Sequence, residues 1–244
     1  MTLHMYWPQV VWSVTALLGM GMALARHGQP RTDKHNFWYQ SLAVLIAGWL
    51  LWCGGFFSQA NAAEPPASAK PYRAELVRNA RAVWGMDAPV ADFAGQFQQE
   101  SDWNPAARSP VGAQGMAQFM PSTSDWISQL LPELRAREPF NPSWAIRALV
   151  QYDQWLWQRV SARDGCQRMA FTLSAYNGGL GWVNRDKKLA AQRGLDAAVW
   201  FDAVATVNAG RSAANWRENR GYPQRILYQN APRYLSWGGA NCVR

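Results

Sequence analysis

The chain has 244 residues, 49% of them hydrophobic, and a formal net charge of +8. That length suffices for one domain with a sizeable core, and the basic excess suits an acidic polymer or surface: nucleic acid, anionic lipid or a cell wall with peptide carboxylates. The three Cys have no Cys-x-x-Cys pair or Cys/His cluster near them, which argues against a zinc site and leaves no case for a metal or organic cofactor.

Residues 1–63 are apolar and carry four charged side chains, Arg26, Arg31, Asp33 and Lys34. Two uncharged runs, residues 9–25 and 41–57, are each close to the minimum length of a membrane-spanning helix. The connector between them holds the Lys and Arg of this region. The positive-inside rule therefore puts it in the cytoplasm and everything after residue 57 outside. This predicts a two-helix transmembrane hairpin anchored in the inner membrane, with the rest of the chain in the periplasm; the bland alternative is a buried soluble hairpin. A signal-peptide reading gives the same address. Lys34 to Ala62 has a basic start, an apolar stretch and Ala60-Asn61-Ala62 as an A-x-A site, so cleavage near Ala62 would release the remainder. Residues 64–71, EPPASAKP, read as a linker.

From residue 72 the pattern is mainly helical. Helices are predicted over 72–84 and over 89–101, the second opened by Pro89 and closed by Asn104-Pro105. Phe93, Phe97 and Glu100 follow one another at helical spacing, which puts a carboxylate on an apolar face. Residues 105–121 are loop and short helix. A helix over 122–131 has Ser122 and Thr123 as cap candidates. Asn141-Pro142-Ser143 opens a longer one that runs to about Val160. An apolar helix over 167–176 stops at Gly178-Gly179, residues 187–208 are helical in part, and a helix within 215–235 breaks near Gly221–Pro223. Strand signals are weak and no internal repeat is present. Most of the 15 Trp suit core packing or interfaces, and some could form flat platforms for sugars.

Cleavage of a glycosidic bond needs an acid that keeps its proton at neutral pH, and burial is what raises a carboxyl pKa. Glu100 has that setting, with Phe93 and Phe97 on its face and Phe119 and Met120 close enough in sequence to fold over it. Most glycosidases use a second carboxylate. Asp102 should point off a different side of the helix, and sequence alone does not place Asp125 or Asp153. On residue patterns alone a structural Glu100 stays open beside a catalytic one.

Four blocks in register resolve the choice. Glu100-Ser101, Ser109 within SPVGAQG, Gly115 to Thr123 (GMAQFMPST) and Ala175-Tyr176-Asn177-Gly178 follow in order through residues 72–185. In this the chain resembles the family 1 soluble lytic transglycosylases, which share the lysozyme-like fold. The resemblance implies a single Glu that acts twice on peptidoglycan. It protonates the oxygen between N-acetylmuramic acid and N-acetylglucosamine, the substrate's N-acetyl group stabilises the cationic centre, and the ionised Glu then deprotonates the muramic C6 hydroxyl to close a 1,6-anhydro ring. It implies Glu100 as acid then base, Tyr176 hydrogen-bonded near the reacting centre, and Ser109, Gln118, Met120 and Asn177 holding the glycan or shaping the pocket. Met116-Ala117 departs from the family's Leu-Met, which moves the larger side chain one place. Residues 186–244 form a basic helical extension packed on the core, and its NWRENRGYPQRIL run looks like phage and mobile-element members.

The expected protein is therefore a mainly α, lysozyme-like domain behind an N-terminal membrane or targeting region of residues 1–63. Its expected partners are peptidoglycan strands and the inner membrane, and no nucleic acid is expected, because the basic residues form no recognised binding motif. Host lysis of the endolysin type and local wall opening for a secretion or conjugation apparatus are the two biological settings. A hydrolytic muramidase of the same fold and a non-catalytic wall-binding or holin-like protein are the alternatives. Cys166 and Cys242, both in an exported segment, could pair and tie the tail to the body.

Overall fold

The computed structural model describes residues 7–25, 41–47, 49 and 64–242. The chain divides into two units, Met1–Ala62 and Ala63–Arg244. In the first, helix α1 runs from Trp7 to Ala25 and residues 41–47 form helix α2. Ser13, Thr15, Gly19 and Gly21 dilute the apolar run of α1, and no helix among the described residues is long and apolar enough to cross a membrane. Of the expected span 41–57, residues 48 and 50–57 lie outside the described residues, as do the basic connector and Ala60-Asn61-Ala62.

The second unit is built around helix α4, Val90–Ser101. Its first eight residues are all buried, so it is a central helix enclosed on every side for two turns. Helix α3 (Arg73–Trp84) packs on α6 (Pro142–Trp157), and α6 packs on α7 (Gly165–Gly178). Helix α5 (Pro121–Leu130) starts one residue before its expected cap candidates, because Pro121 at the first helical position has its backbone preset and no N–H to lose. Asn141 caps α6, accepting from the N–H groups of Ser143 (3.0 Å) and Trp144 (3.5 Å). Asp164 caps α7 in the same way, through Gln167 N–H at 2.8 Å.

The region after residue 178 differs most from expectation. Helix α8 begins at Leu180, one residue after α7 ends, and runs to Gln192; Gly179 separates two helices where a loop was expected. Helix α9, Ala213–Gln224, continues through Pro223 where a break was expected. The chain then switches to a π-helix over Arg225–Asn230, whose wider register accommodates the carbonyls that a proline leaves without a donor. The π-helix and the 3-10 turn that follows, Ala231–Tyr234, both pack on α4. They approach closely at Gly95, where a Cβ would stand 2.8 Å from the Ala231 nitrogen. Asp186 on α8, fully buried, accepts from both Arg211 and Arg220, and this charge-assisted pairing fastens α8 to α9. Cys166 and Cys242 are joined by a disulfide that closes the C-terminus onto the start of α7.

Candidate active site

Helix α4 ends just past Glu100. Asp102 and Trp103 both adopt left-handed backbone, with φ of 51° and 66°. Such residues cost about 1 kcal/mol or more each, and the burial of Trp103 offsets the cost. Its ring lies 5.0 Å from Phe97 and 5.9 Å from Tyr72, and its Nε1 donates to Tyr234 Oη at 2.8 Å. The turn leaves Glu100 on the last turn of the helix, partly open to solvent. Ser101 Oγ donates to the Met116 carbonyl at 2.9 Å, which ties the helix end to the loop that follows.

That loop is held by its own polar side chains. Ser109 Oγ accepts from Ala113 N–H at 2.9 Å. Gln114 pairs with both Arg108 and Phe119 in isolated antiparallel bridges. Gln118 has a left-handed backbone (φ 48°), and its side-chain amide donates to the carbonyls of Gly115 (2.8 Å) and Ala107 (3.3 Å). Gly115 has φ 70°, and a Cβ there would sit 1.7 Å from the Pro139 oxygen, so only glycine fits. Ser109 and Gln118 are thus placed as loop-shaping groups. Phe119 is buried, packed against Tyr176 (5.4 Å) and Trp144 (6.0 Å), whereas Met120 is 41% exposed.

Tyr176 Oη donates to the Ala117 carbonyl at 2.6 Å, so this tyrosine clamps the loop from α7. The hydroxyl bonded to Glu100 belongs to Tyr222, which donates to Oε1 from α9, 122 residues away. Sequence reasoning missed Tyr222. The NWRENRGYPQRIL run that carries it had been singled out, but as part of an extension. Asn177 donates to Glu218 at 3.3 Å and accepts from Asn219 at 3.0 Å. A cleft of about 320 Å³ opens beside it, lined also by Trp182, Arg211, Asn215 and Glu218.

The Glu100 carboxyl is pushed up to about 8. Burial is the largest cause; the bond from Tyr222 pulls the value down, and the negative charge of Glu218 pushes it up again. Tyr176 and Tyr222 are both raised well above 10, first by burial and then by the charge of Glu100, so both keep their hydroxyl protons. Because Tyr222 favours the ionised Glu100, Tyr222→Phe is expected to raise the Glu100 pKa further, by about one unit. Carbon-detected NMR titration of the carboxyl would read this, and an unchanged value would show that the bond has no weight. No cluster of His, Cys, Asp or Glu able to hold a metal is present among the described residues.

The geometry offers a proton-bearing acid with a neutral hydrogen-bond donor to receive its charge, beside a loop locked by Ser101, Ser109, Gln118 and Tyr176. Residues 92–199 match the family model of the transglycosylase SLT domain. The chain is 32% identical over 110 residues to a membrane-bound lytic murein transglycosylase F of Shewanella pealeana, covering 45% of this chain and 22% of the relative. It is 33% identical over 137 residues to a soluble lytic murein transglycosylase of Salmonella typhimurium, covering 55% of this chain and 19% of the relative. The chain thus spans about a fifth of the length of these curated relatives. Among solved structures it is similar to the 70 kDa soluble lytic transglycosylase of Escherichia coli, with a TM-score of 0.51 and 20% identity over 96% of this chain and 32% of that one. In sequence, the stretch holding Glu100, Tyr176 and the loop between them is therefore similar to the transglycosylase SLT domain, and the chain shares the mainly helical fold of a lytic transglycosylase.

Proposed function

We propose that this chain is a peptidoglycan lytic transglycosylase that cleaves the bond between N-acetylmuramic acid and N-acetylglucosamine. The observation that carries this reading is Glu100, a carboxyl that stays protonated up to about pH 8 at the end of the central helix, with Tyr222 bonded to it. In the first step Glu100 gives its proton to the glycosidic oxygen as the C1–O bond breaks. The substrate's N-acetyl oxygen stabilises C1, and the Tyr222 hydroxyl stabilises the new carboxylate. In the second step that carboxylate takes the proton from the C6 hydroxyl, whose oxygen bonds to C1. Glu100 ends as it began and no water is consumed. The Tyr176 ring and its grip on Ala117 keep the loop against the site. Ser109 and Gln118 shape the loop, exposed Met120 offers an apolar edge, and Asn177 lines a cleft together with Trp182.

A hydrolytic muramidase is the second reading, and a specific observation favours it: the charge of Glu218 acts on Glu100, which makes Glu218 the candidate second carboxylate. Products and one substitution separate the two. In the lytic reading, Glu218→Gln keeps 1,6-anhydromuropeptide formation and moves the alkaline limb of the rate to lower pH, because it removes a charge that raises Glu100. In the hydrolytic reading the products carry reducing ends, and Glu218→Gln lowers the rate about 10²-fold or more.

The membrane-bound and soluble relatives make the periplasm a fitting address. A disulfide in the second unit fits an oxidising compartment too. In this reading residues 1–63 deliver the domain, either as an inner-membrane anchor or as a segment removed near Ala62. Phage-type host lysis is favoured over wall opening for a secretion or conjugation apparatus, since a short apolar leader on a small catalytic unit suffices for lysis. Neighbouring holin and spanin genes would support lysis, and neighbouring secretion genes would overturn it.

A further inference from the structure

Glu100 is the outermost member of a polar stripe that runs into the core. Asp92, Gln96 and Glu100 stand four residues apart on α4, so they share one face at intervals of about 6 Å along the axis. Asp92 is 1% exposed and Gln96 0%. Asp153, on the C-terminal half of α6, is also 0% exposed. Five polar atoms of this group are sealed from solvent without a hydrogen-bond partner in the protein: Oδ1 of Asp92, both amide atoms of Gln96, and both carboxyl oxygens of Asp153. The other Asp92 oxygen accepts from the backbone N–H (3.0 Å) and side-chain amide (2.8 Å) of Asn241. Neither step of the reaction assigned to Glu100 uses Asp153.

The surroundings of Asp153 decide its charge state. The groups that it acts on, or that act on it, are Asp92, Gln96 and Glu100 on α4, Tyr152 on its own helix, Tyr176 on α7 and Tyr222 on α9. No cation is among them. An ionised carboxyl sealed in the core without a cation or a donor would cost many kcal/mol, so the group keeps its proton. The direction of its pKa agrees: burial raises it most, and Glu100 and Asp92 raise it further. Gln96 lies near enough to draw it part of the way back, yet no direct hydrogen bond of normal geometry joins the two. A neutral carboxylic acid can both donate and accept, which a carboxylate cannot.

We propose that Asp153 is a positioning residue for Glu100: a neutral acid, sealed in the core beside Gln96, that backs Glu100 from the interior and steadies the carboxylate formed between the two proton transfers. The assignment rests on Glu100 being the acid and base of the site. Tyr222 holds Glu100 from the α9 side, and the Asp153–Gln96 group supports it from the α6 side. A fixed negative charge at residue 153 would repel that carboxylate, whereas a neutral donor lowers its energy without repulsion.

The test is the pKa of Glu100, read by carbon-detected NMR in wild type, Asp153→Asn and Asp153→Leu, beside the pH–rate profile on purified sacculi. Asn mimics the neutral acid, so Asp153→Asn should leave the Glu100 pKa within a few tenths of a unit and keep kcat within about three-fold. Leu removes the polar support, so Asp153→Leu should raise that pKa by about one unit, lower kcat about ten-fold and leave KM unchanged. A purely structural aspartate would not give this split between the two variants. A fall in the Glu100 pKa in either variant would mean that Asp153 is ionised, and would overturn the proposal; so would an unchanged pKa in Asp153→Leu. Should Asp153→Leu fail to fold, infrared difference spectra of Glu100→Gln with and without Asp153→Asn decide the matter. A protonated-carboxyl band lost at pH 7 supports the proposal, and loss of a carboxylate band overturns it. The titration and the spectra need no turnover, so they separate the fate of this assignment from that of the peptidoglycan reading, which cleavage products judge.

Discussion

Glu100→Gln should abolish the release of muropeptides from sacculi, with a loss of at least about 10³-fold, while binding to the same sacculi persists. Gln keeps the size of the side chain and an oxygen that can accept from Tyr222, and it lacks only the proton to give. Equal clearing by wild type and variant would end the catalytic assignment and leave a wall-binding protein. The same carboxyl sets the pH range. With a pKa of about 8, the protonated form dominates below pH 8 and the rate falls as the pH rises through that value. The substitution also has a stability signature with a definite sign. Below about pH 4.5 both the folded and unfolded chains hold the proton, so Glu100 has no effect there. Between 4.5 and 8 only the unfolded chain releases it, so folding loses stability steadily as the pH rises. Glu100→Gln should therefore raise the melting temperature by little at pH 4 and by most near pH 8. A gain that does not vary with pH would mean that the carboxyl is not held protonated.

Removing the disulfide should have the largest effect on stability. Cys166 and Cys242 close a loop of sequence separation 76. On loop-closure entropy alone such a link is worth about 4.5 kcal/mol, about ten degrees of melting temperature for a domain of this size. More than chain entropy is at stake, because the bond holds the segment in which Asn241 donates twice to Asp92 at the start of α4. Asp92 is raised to about 7 by burial, and the hydrogen bonds from Asn241 pull it down. When the segment frays, Asp92 is left in the core without its donors. The double substitution Cys166→Ser, Cys242→Ser should lower the urea midpoint strongly. Reductant should lower the wild-type midpoint toward the same value and leave the variant unchanged. Coincident midpoints for the oxidised wild type and the variant would show that the tail contributes nothing to global stability.

Much of this molecule is legible one helical turn at a time. Asn141-Pro142 starts α6, Pro89 starts the central helix, and the glycines and prolines of 105–121 favour a loop, which forms up to Met120 without the short helix also expected there. Each of these is a property of a residue and its near neighbours. Glu100, followed by Ser101 and then by the Gly115–Thr123 block, belongs to the same local class of information. Pro223 shows where local reasoning stops: a proline that should break a helix is accommodated by a π-turn that packs on α4, so tertiary contact outweighs local preference. Helix α8, starting directly after Gly179, is held by the pairing of Asp186 with Arg211 and Arg220, residues 25 and 34 positions further on. The chemistry of the site is the extreme case. Sequence places a carboxylate on an apolar stripe, but its pKa depends on how completely distant helices enclose it. The groups that tune it, Tyr222 and Glu218, come from α9 rather than from its own helix. Sequence alone points to Glu100 as the candidate acid, because the motif around it is local. Only the tertiary structure decided what holds its proton in place, because desolvation and charge act through space between segments more than fifty residues apart.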